Sequence, residues 1–279
     1  MLSKIAAHTR RISYQLGRRV RFGSERFKMR GYFANRLNHT DLHEPFLGAL
    51  LRKQLDARSG VVIDVGVNVG QTLTKVLSID RNREYLGFEP QVGCCYFVDQ
   101  FLRLNGLRNA SVLPIALSDS NHTLTLYSSG EFDEMASVAD QRDVTGVLRA
   151  ETTHVQARIG DEVLRELSVR EIAVIKVDVE GAELQVFRGL RDTLRTKRPP
   201  LIFEVLPNFY GHERVMQPPD VRARNQELAD DIYELLDDIG YDICHVNDQG
   251  VESKIHRFEL NDRQSFAGYN YIAHHRSAD

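Results

Sequence analysis

The chain has 279 residues, enough for one large α/β domain with additions or for two small domains. Its composition, 42% hydrophobic and 27% charged, is ordinary for a soluble enzyme-sized protein. Three cysteines, with Cys94 and Cys95 adjacent, exclude a disulfide framework and any CxxC or Cys/His metal spacing, so a reducing compartment fits and a metal would need carboxylates or histidines. No apolar run approaches the roughly 20 residues of a membrane helix, and the first residues lack the apolar core of a secretory signal. The chain therefore reads as cytoplasmic.

The net charge of −3 hides an asymmetry. Residues 1–36 carry ten Lys/Arg against the single acid Glu25, a charge of +9, which leaves −12 for residues 37–279. This divides the sequence into a basic N-terminal extension, 1–36, and one domain, 37–279. The extension is expected to be partly helical and packed on the domain. Its charge equally suits docking on a membrane surface, a nucleic acid or an acidic partner, and its Arg-rich, acid-poor character faintly resembles an organelle transit peptide.

In chain order, "DLHEPFLGALLRKQLDARSG" spaces Phe46, Leu47, Leu50, Leu51 and Leu55 as a helix does and stops at Gly60. Val61 to Val65 reads as a strand buried on both faces, and helical spacing returns from Thr72 to Ile79. "EYLGFEP" predicts strand two, ending at Glu89 and stopped by Pro90; "CCYFVDQFLRLNG" predicts its helix and "ASVLPIALSD" strand three. "HTLTLYSS" alternates like a strand lying on one face of the sheet, and residues 128–152 lack a clear period. "HVQARIGDEVLREL" then reads as strand into helix, "IAVIKVDVEG" as strand four, "GAELQVFRGLRDTLR" as one helix and "PPLIFEVLP" as strand five. Residues 206–225 read as a long polar connection, followed by a helix, strand six and the last strand "GYNYIAHHR". This series implies an α/β, Rossmann-like fold: a mostly parallel seven-stranded sheet with helices on both faces.

A buried strand leading through a glycine turn to a helix N-terminus makes a ligand site. A dinucleotide fingerprint needs G-x-G-x-x-G, but "GVNVGQ" has Asn68 in the middle position and Gln71 in the sixth. A pyrophosphate thus fits poorly, and a nicotinamide enzyme is disfavoured. Asp64 precedes the turn, and Glu89 sits where a carboxylate accepts from both ribose hydroxyls. Together they describe a site for a nucleoside with a cationic other end, which S-adenosylmethionine satisfies.

"VVIDVGVNVGQTL", "YLGFEP", "PIALSDS", "IKVDVEGAELQVFRGL" and "LIFEV" occur in the order and approximate spacing of the FkbM family of S-adenosylmethionine-dependent methyltransferases, which the sequence resembles over about residues 60–205. Two departures stand out: Val67 where that family usually has Ala, and "RIGDE", containing Asp161, where it often has Leu-Asp-Asp. The resemblance implies that Asp64, Gly66, Asn68 and Gly70 surround the amino-acid part of the cofactor, with Gln71 and Thr72 at the helix start, Glu89 and the adjoining Pro90 at the ribose, and Ala116, Leu117, Ser118 and Asp119 edging the adenine.

Methyl transfer from a sulfonium is an in-line displacement, so the protein aligns donor and acceptor and removes a proton. Carboxylates at the ends of strands four and five are the candidates. Lys176, Asp178 and Glu180 share a face if that strand stays extended, and Glu204 is a lone polar residue costly to bury unpaired. Asp178 is expected nearest the transferring methyl, with Glu180 and Glu204 orienting an acceptor hydroxyl and one of them taking its proton. The same carboxylates have the chemistry to bind Mg²⁺ or Ca²⁺, but no metal site is assigned; His122, His154, His212 and His245 lack ligand spacing. The expected activity is O-methylation of a small-molecule, sugar or glycan-like hydroxyl, with residues 128–152 and 206–225 covering the acceptor. The alternatives are an RNA methyltransferase using the basic arm, and a binding protein on a methyltransferase fold. Nothing in the sequence fixes an oligomeric state.

Overall fold

The computed structural model describes residues 18–29, 44–128, 151–206, 209–210, 215–260 and 269–276. Its main sheet has the strand order β14-β13-β15-β10-β9-β3-β4-β5. The parallel centre consists of β3 (Val61–Val65), β4 (Tyr85–Phe88), β5 (Ala110–Leu113), β9 (Ile172–Val177) and β10 (Leu201–Glu204). β13 (Tyr241–Val246) and β15 (Asn270–His275) complete the expected seven, with β15 antiparallel between β10 and β13; the eighth is the three-residue edge strand β14 (Glu252–Lys254). All five residues of β3 and all six of β9 are buried, the condition under which strands read as continuous apolar runs.

Alternation along the strands sorts side chains between two layers. Val62 faces a layer of α1 (Pro45–Ala57), α2 (Gln71–Ile79) and α3 (Val92–Leu104); Ile63 and Val65 face α4 (Gly160–Glu166), α5 (Glu183–Gly189), α6 (Arg191–Lys197) and α7 (Pro219–Asp238). The chain leaves β3 toward β4 on one side and pairs it with β9 on the other, which opens a crevice at the carboxyl ends of the strands.

Several expectations change. The described part of the basic extension is not helical: β1 (Arg18–Phe22) and β2 (Glu25–Met29) form an antiparallel hairpin, and Val20, Phe22, Phe27 and Met29 are buried on one side of it. Period-two alternation of apolar and basic residues favours a ribbon here over a helix. The expected third strand divides. β5 belongs to the main sheet, whereas β6 (Ala116–Ser118) joins β8 (Glu151–Ile159) and β7 (His122–Ser128) in a separate three-stranded sheet. The expected single helix after β9 breaks at Leu190 into α5 and α6. A Cβ at Gly189 would stand 1.9 Å from the Ser118 carbonyl oxygen, so the break brings bare backbone against β6. The connection 206–225 is shorter than expected, because Pro219 starts α7 at a position where its missing N–H costs nothing; β11 (Phe209–Tyr210) and β12 (Val215–Met216) precede it.

Candidate active site

The turn after β3 is stitched to both neighbouring strands. Gly66 N–H donates to the Phe88 carbonyl at 2.9 Å, and Asp178 N–H donates to the Val65 carbonyl at 2.9 Å. Gly66 has φ +90°, and a Cβ there would lie 1.8 Å from the Asp178 carbonyl oxygen, so glycine alone fits. Asn68 explains the departure from a dinucleotide fingerprint. It is left-handed at φ +49°, and its Oδ1 accepts from Val69 N–H at 2.6 Å, a local bond that glycine lacks.

A cleft of about 670 Å³ opens at these strand ends. Its first half is lined by Gly66, Asn68, Gln71, Thr72, Glu89, Pro90 and the Ala116–Asp119 segment, all of them predicted from the sequence. Gly70 and Asp64, also predicted there, do not line it. Gly70 turns toward Val98 and Leu73 and starts α2 in a left-handed conformation. Asp64 is fully buried beneath the floor, accepts a hydrogen bond from the Tyr85 hydroxyl and stands 3.9 Å from Lys176 Nζ. Burial raises its pKa to about 6 against the pull of Lys176. Since a strand-end residue points either into the crevice or into the core, alternation sends Asp64 under the turn.

Glu89 is 3% exposed, and each of its oxygens already accepts a backbone N–H: Oε2 from Asn68 at 2.7 Å, Oε1 from Gln91 at 2.8 Å. Burial pushes its pKa up to about 7, with those two bonds opposing. The bonds fix the carboxyl plane and leave lone pairs toward the cleft.

The second half of the cleft is lined by Lys176, Asp178, Glu180 and Glu204, joined by Glu44 from the start of α1. Lys176 Nζ donates to Asp178 Oδ2 at 2.8 Å. Burial lowers the lysine pKa, but Asp178 and Asp64 outweigh it and hold the ammonium above its ordinary range. The expected extended face does not continue to Glu180. β9 ends at Val177 and Glu180 is left-handed at φ +54°, so it reaches the cleft from a loop. Glu183 closes that loop: its Oε1 accepts from Gly181 N–H at 3.1 Å and Val179 N–H at 3.4 Å, and burial raises its pKa to about 7. Glu204 titrates well above the usual carboxylate range because burial, then Asp178, Glu180 and Glu44, disfavour its charge.

Among the histidines, His122 lines the cleft, together with Leu124 and Leu126 of β7. His154 pairs with Thr125 on the surface, His245 packs edge-on against Tyr271, and His212 lies outside the described residues. Residues 129–150 of the expected acceptor cover do too. Asp161 is a helix cap, accepting from Asp192 and Thr193 N–H at 2.9 Å each, which places it at the start of α6 rather than in the cleft. No group of three or more His, Cys, Asp or Glu among the described residues is disposed to hold a metal ion. Sequence reasoning missed Glu44, Gln91 and Gln185. Pro45 signals the start of α1 and so marks Glu44 as a cap position, but nothing local points it at the cleft.

A doubly wound sheet that brings a non-dinucleotide glycine turn, a strand-tip acid and a carboxylate group to one cleft defines a protein of the Rossmann-like methyltransferase class. The chain belongs to the FkbM methyltransferase family: the methyltransferase FkbM domain model matches residues 64–243. The 2-O-methyltransferase NoeI of Sinorhizobium fredii is 26% identical over 211 residues, which cover 62% of this chain and 83% of the relative. Methyltransferase 1 of Beauveria bassiana is 27% identical over 151 residues, 47% of this chain and 58% of that protein. The AMB antimetabolite synthetase AmbE of Pseudomonas aeruginosa is 26% identical over 179 residues, only 8% of its own length, so the chain spans a small part of one relative and just over half of another. A solved methyltransferase FkbM from Methylobacillus flagellatus, 15% identical, superposes with a TM-score of 0.46 over 78% of this chain and 44% of that one.

Proposed function

We propose that the chain is an S-adenosylmethionine-dependent O-methyltransferase acting on a hydroxyl of a small-molecule, sugar or glycan-like acceptor. The observation that carries this reading is the single cleft, with a backbone-lined nucleoside half and a carboxylate-lined half in continuity. The fit to the cofactor rests on the structure's own features: a glycine turn whose Gly66 and Asn68 line the cleft, the oriented Glu89 carboxyl, and an acidic lining suited to a cation. Gly66, Asn68, Gln71 and Thr72 would hold the amino-acid end, Glu89 and Pro90 the ribose, and Ala116 to Asp119 the adenine. When bound, the cofactor supplies an electrophilic methyl group.

The residues of the second half supply alignment and a proton acceptor. Lys176 anchors Asp178, which would stand nearest the transferring methyl. Glu180 and Glu204 orient the acceptor hydroxyl, and Glu204, with its raised pKa, takes the proton. With an acceptor hydroxyl held there, that carboxylate would be the place for its proton. The 2-O-methyltransferase named among the relatives supports oxygen as the acceptor atom. Calorimetric titration with S-adenosylmethionine, S-adenosylhomocysteine and NAD tests the reading. Heat is expected with the first two alone; silence with both sinks it.

A further inference from the structure

The cleft does not account for the hairpin of β1 and β2, which lies at the other end of the same helices. α2 and α3 present their first residues, Gln71 and Thr72 beside Gln91, to the cleft. Their last turns carry the hairpin. Gly23 lies against Ser78, Phe27 packs on Phe101 with ring centroids 5.4 Å apart, and Asn105 bonds both the N–H and the carbonyl of Lys28 at 2.7 and 2.9 Å. A helix of 13 residues separates the two sites by about 20 Å.

The hairpin is two-faced. Phe22, Phe27 and Met29 are at most 2% exposed, while Arg19, Arg21, Arg26 and Lys28 stand outward and exposed. The register sets these cations directly opposite one another, Arg19 across from Lys28 and Arg21 across from Arg26. Like charges in cross-strand pairs destabilise a ribbon, and a two-stranded ribbon is marginal to begin with. None of the four pairs with an acid among the described residues, although acids are at hand: Glu25 pairs with Arg81 and Asp99 with Arg103. Folding stability therefore does not explain this face.

We propose that the outward face of the β1–β2 hairpin docks the protein on an anionic lipid bilayer. The four cations form a flat array, about 7 Å apart along each strand and 5 Å across, which matches a planar sheet of lipid phosphates. The face bears no aromatic ring on which a base could stack, and a flat ribbon end-on to two helices offers no groove for a single strand, so nucleic acid fits less well. The −12 of residues 37–279 orients the docking, because an anionic surface attracts this pole and repels the rest, while acids some 20 Å away are screened at physiological salt. Each cation near such a surface strengthens binding roughly fivefold.

The test sediments the full-length protein with vesicles of phosphatidylcholine alone and of phosphatidylcholine with one third phosphatidylglycerol, at low and high salt, beside a filter-binding arm with single-stranded RNA. Binding to the phosphatidylglycerol vesicles alone, weakened by salt, is expected. R19Q/R21Q/R26Q/K28Q should weaken it roughly 10²–10³-fold, with an unchanged or raised Tm because the cross-strand repulsion is gone. R21Q/R26Q, which removes one cross-strand pair, should weaken it about 25-fold and serves if the quadruple variant does not accumulate. Equal binding to both vesicle types, undiminished binding by either variant, or binding to RNA but not to vesicles would overturn the proposal.

Discussion

The two halves of the cleft are built on opposite principles. In the nucleoside half the polar groups are satisfied before any ligand arrives: Glu89 accepts two backbone N–H groups and Asn68 closes its own turn. In the other half Asp178, Glu180, Glu204 and Glu44 crowd one another around a single ammonium, Lys176. A satisfied site is rigid and takes one ligand; a mutually repelling one lies high in energy until an acceptor and a proton relieve it. The contrast suits the proposed division into a donor half and an acceptor half.

The largest effect that would break this contrast is expected from Gly66→Ala. Positive φ and the Asp178 carbonyl together should cost about 2–5 kcal/mol and remove cofactor binding, which thermal unfolding and calorimetry will read. A variant with unchanged Tm would show that the turn is looser than described. Glu204→Gln should lower turnover about 10²–10⁴-fold, measured once an acceptor is found, while S-adenosylmethionine affinity stays within a few-fold. Glu89→Ala should do the reverse in binding, weakening S-adenosylmethionine roughly 10–100-fold through the lost bonds to a charged acceptor. If both variants lose affinity alike, the halves are not separable.

The pH dependence sharpens the comparison further. Glu89 titrates at about 7 in the folded protein against an ordinary 4.5, so it binds a proton more readily folded than unfolded. Its contribution to stability is present below pH 4.5 and is lost as pH rises through about 7. Asp64 and Glu183 shift in the same direction. The ligand-free protein should therefore be more heat-stable near pH 5 than near pH 8, whereas S-adenosylmethionine affinity should fall as pH drops below about 7 and Glu89 is protonated. A Tm that climbs from pH 5 to 8 would contradict these shifts. Glu204→Gln should flatten the stability slope, because the Glu204 carboxyl is shifted in the same direction by burial and its acidic neighbours. The smallest expected effect is at Glu44→Gln, which relieves a flanking charge; a turnover change of only a few-fold would place Glu44 among the groups that tune Glu204.

What the sequence made legible follows the same division. The first half of the cleft is nearly contiguous, a strand, a turn and a helix start, then a strand tip, so Gly66, Asn68 and Glu89, named from the sequence, are found lining it together. Asp64 lies outside the cleft lining because a strand-end acid is equally compatible with crevice and core, and only the pairing with Lys176 and Tyr85 decides. The second half draws Glu44, Asp178 and Glu204 from three separate segments. No periodicity links them, and Glu180 enters through a left-handed residue that strand alternation does not anticipate. The hairpin escaped the reading for a different reason: the ten basic residues of 1–36 dominated the composition, and the alternation of Phe22, Phe27 and Met29 with cations was the quieter signal.

One short element couples the halves. α5 begins at Glu183, which holds the Val179–Gly181 loop on the proposed acceptor side, and ends at Gly189, pressed on the Ser118 carbonyl at the proposed adenine edge. Seven residues of helix measure about 10 Å, so α5 acts as a ruler between the two ends of the cleft. Adding or deleting one residue would shift one mark by about 1.5 Å and rotate it by about 100°. Under the proposed function, a change in the length of α5 would alter the reach between the two ends of the cleft.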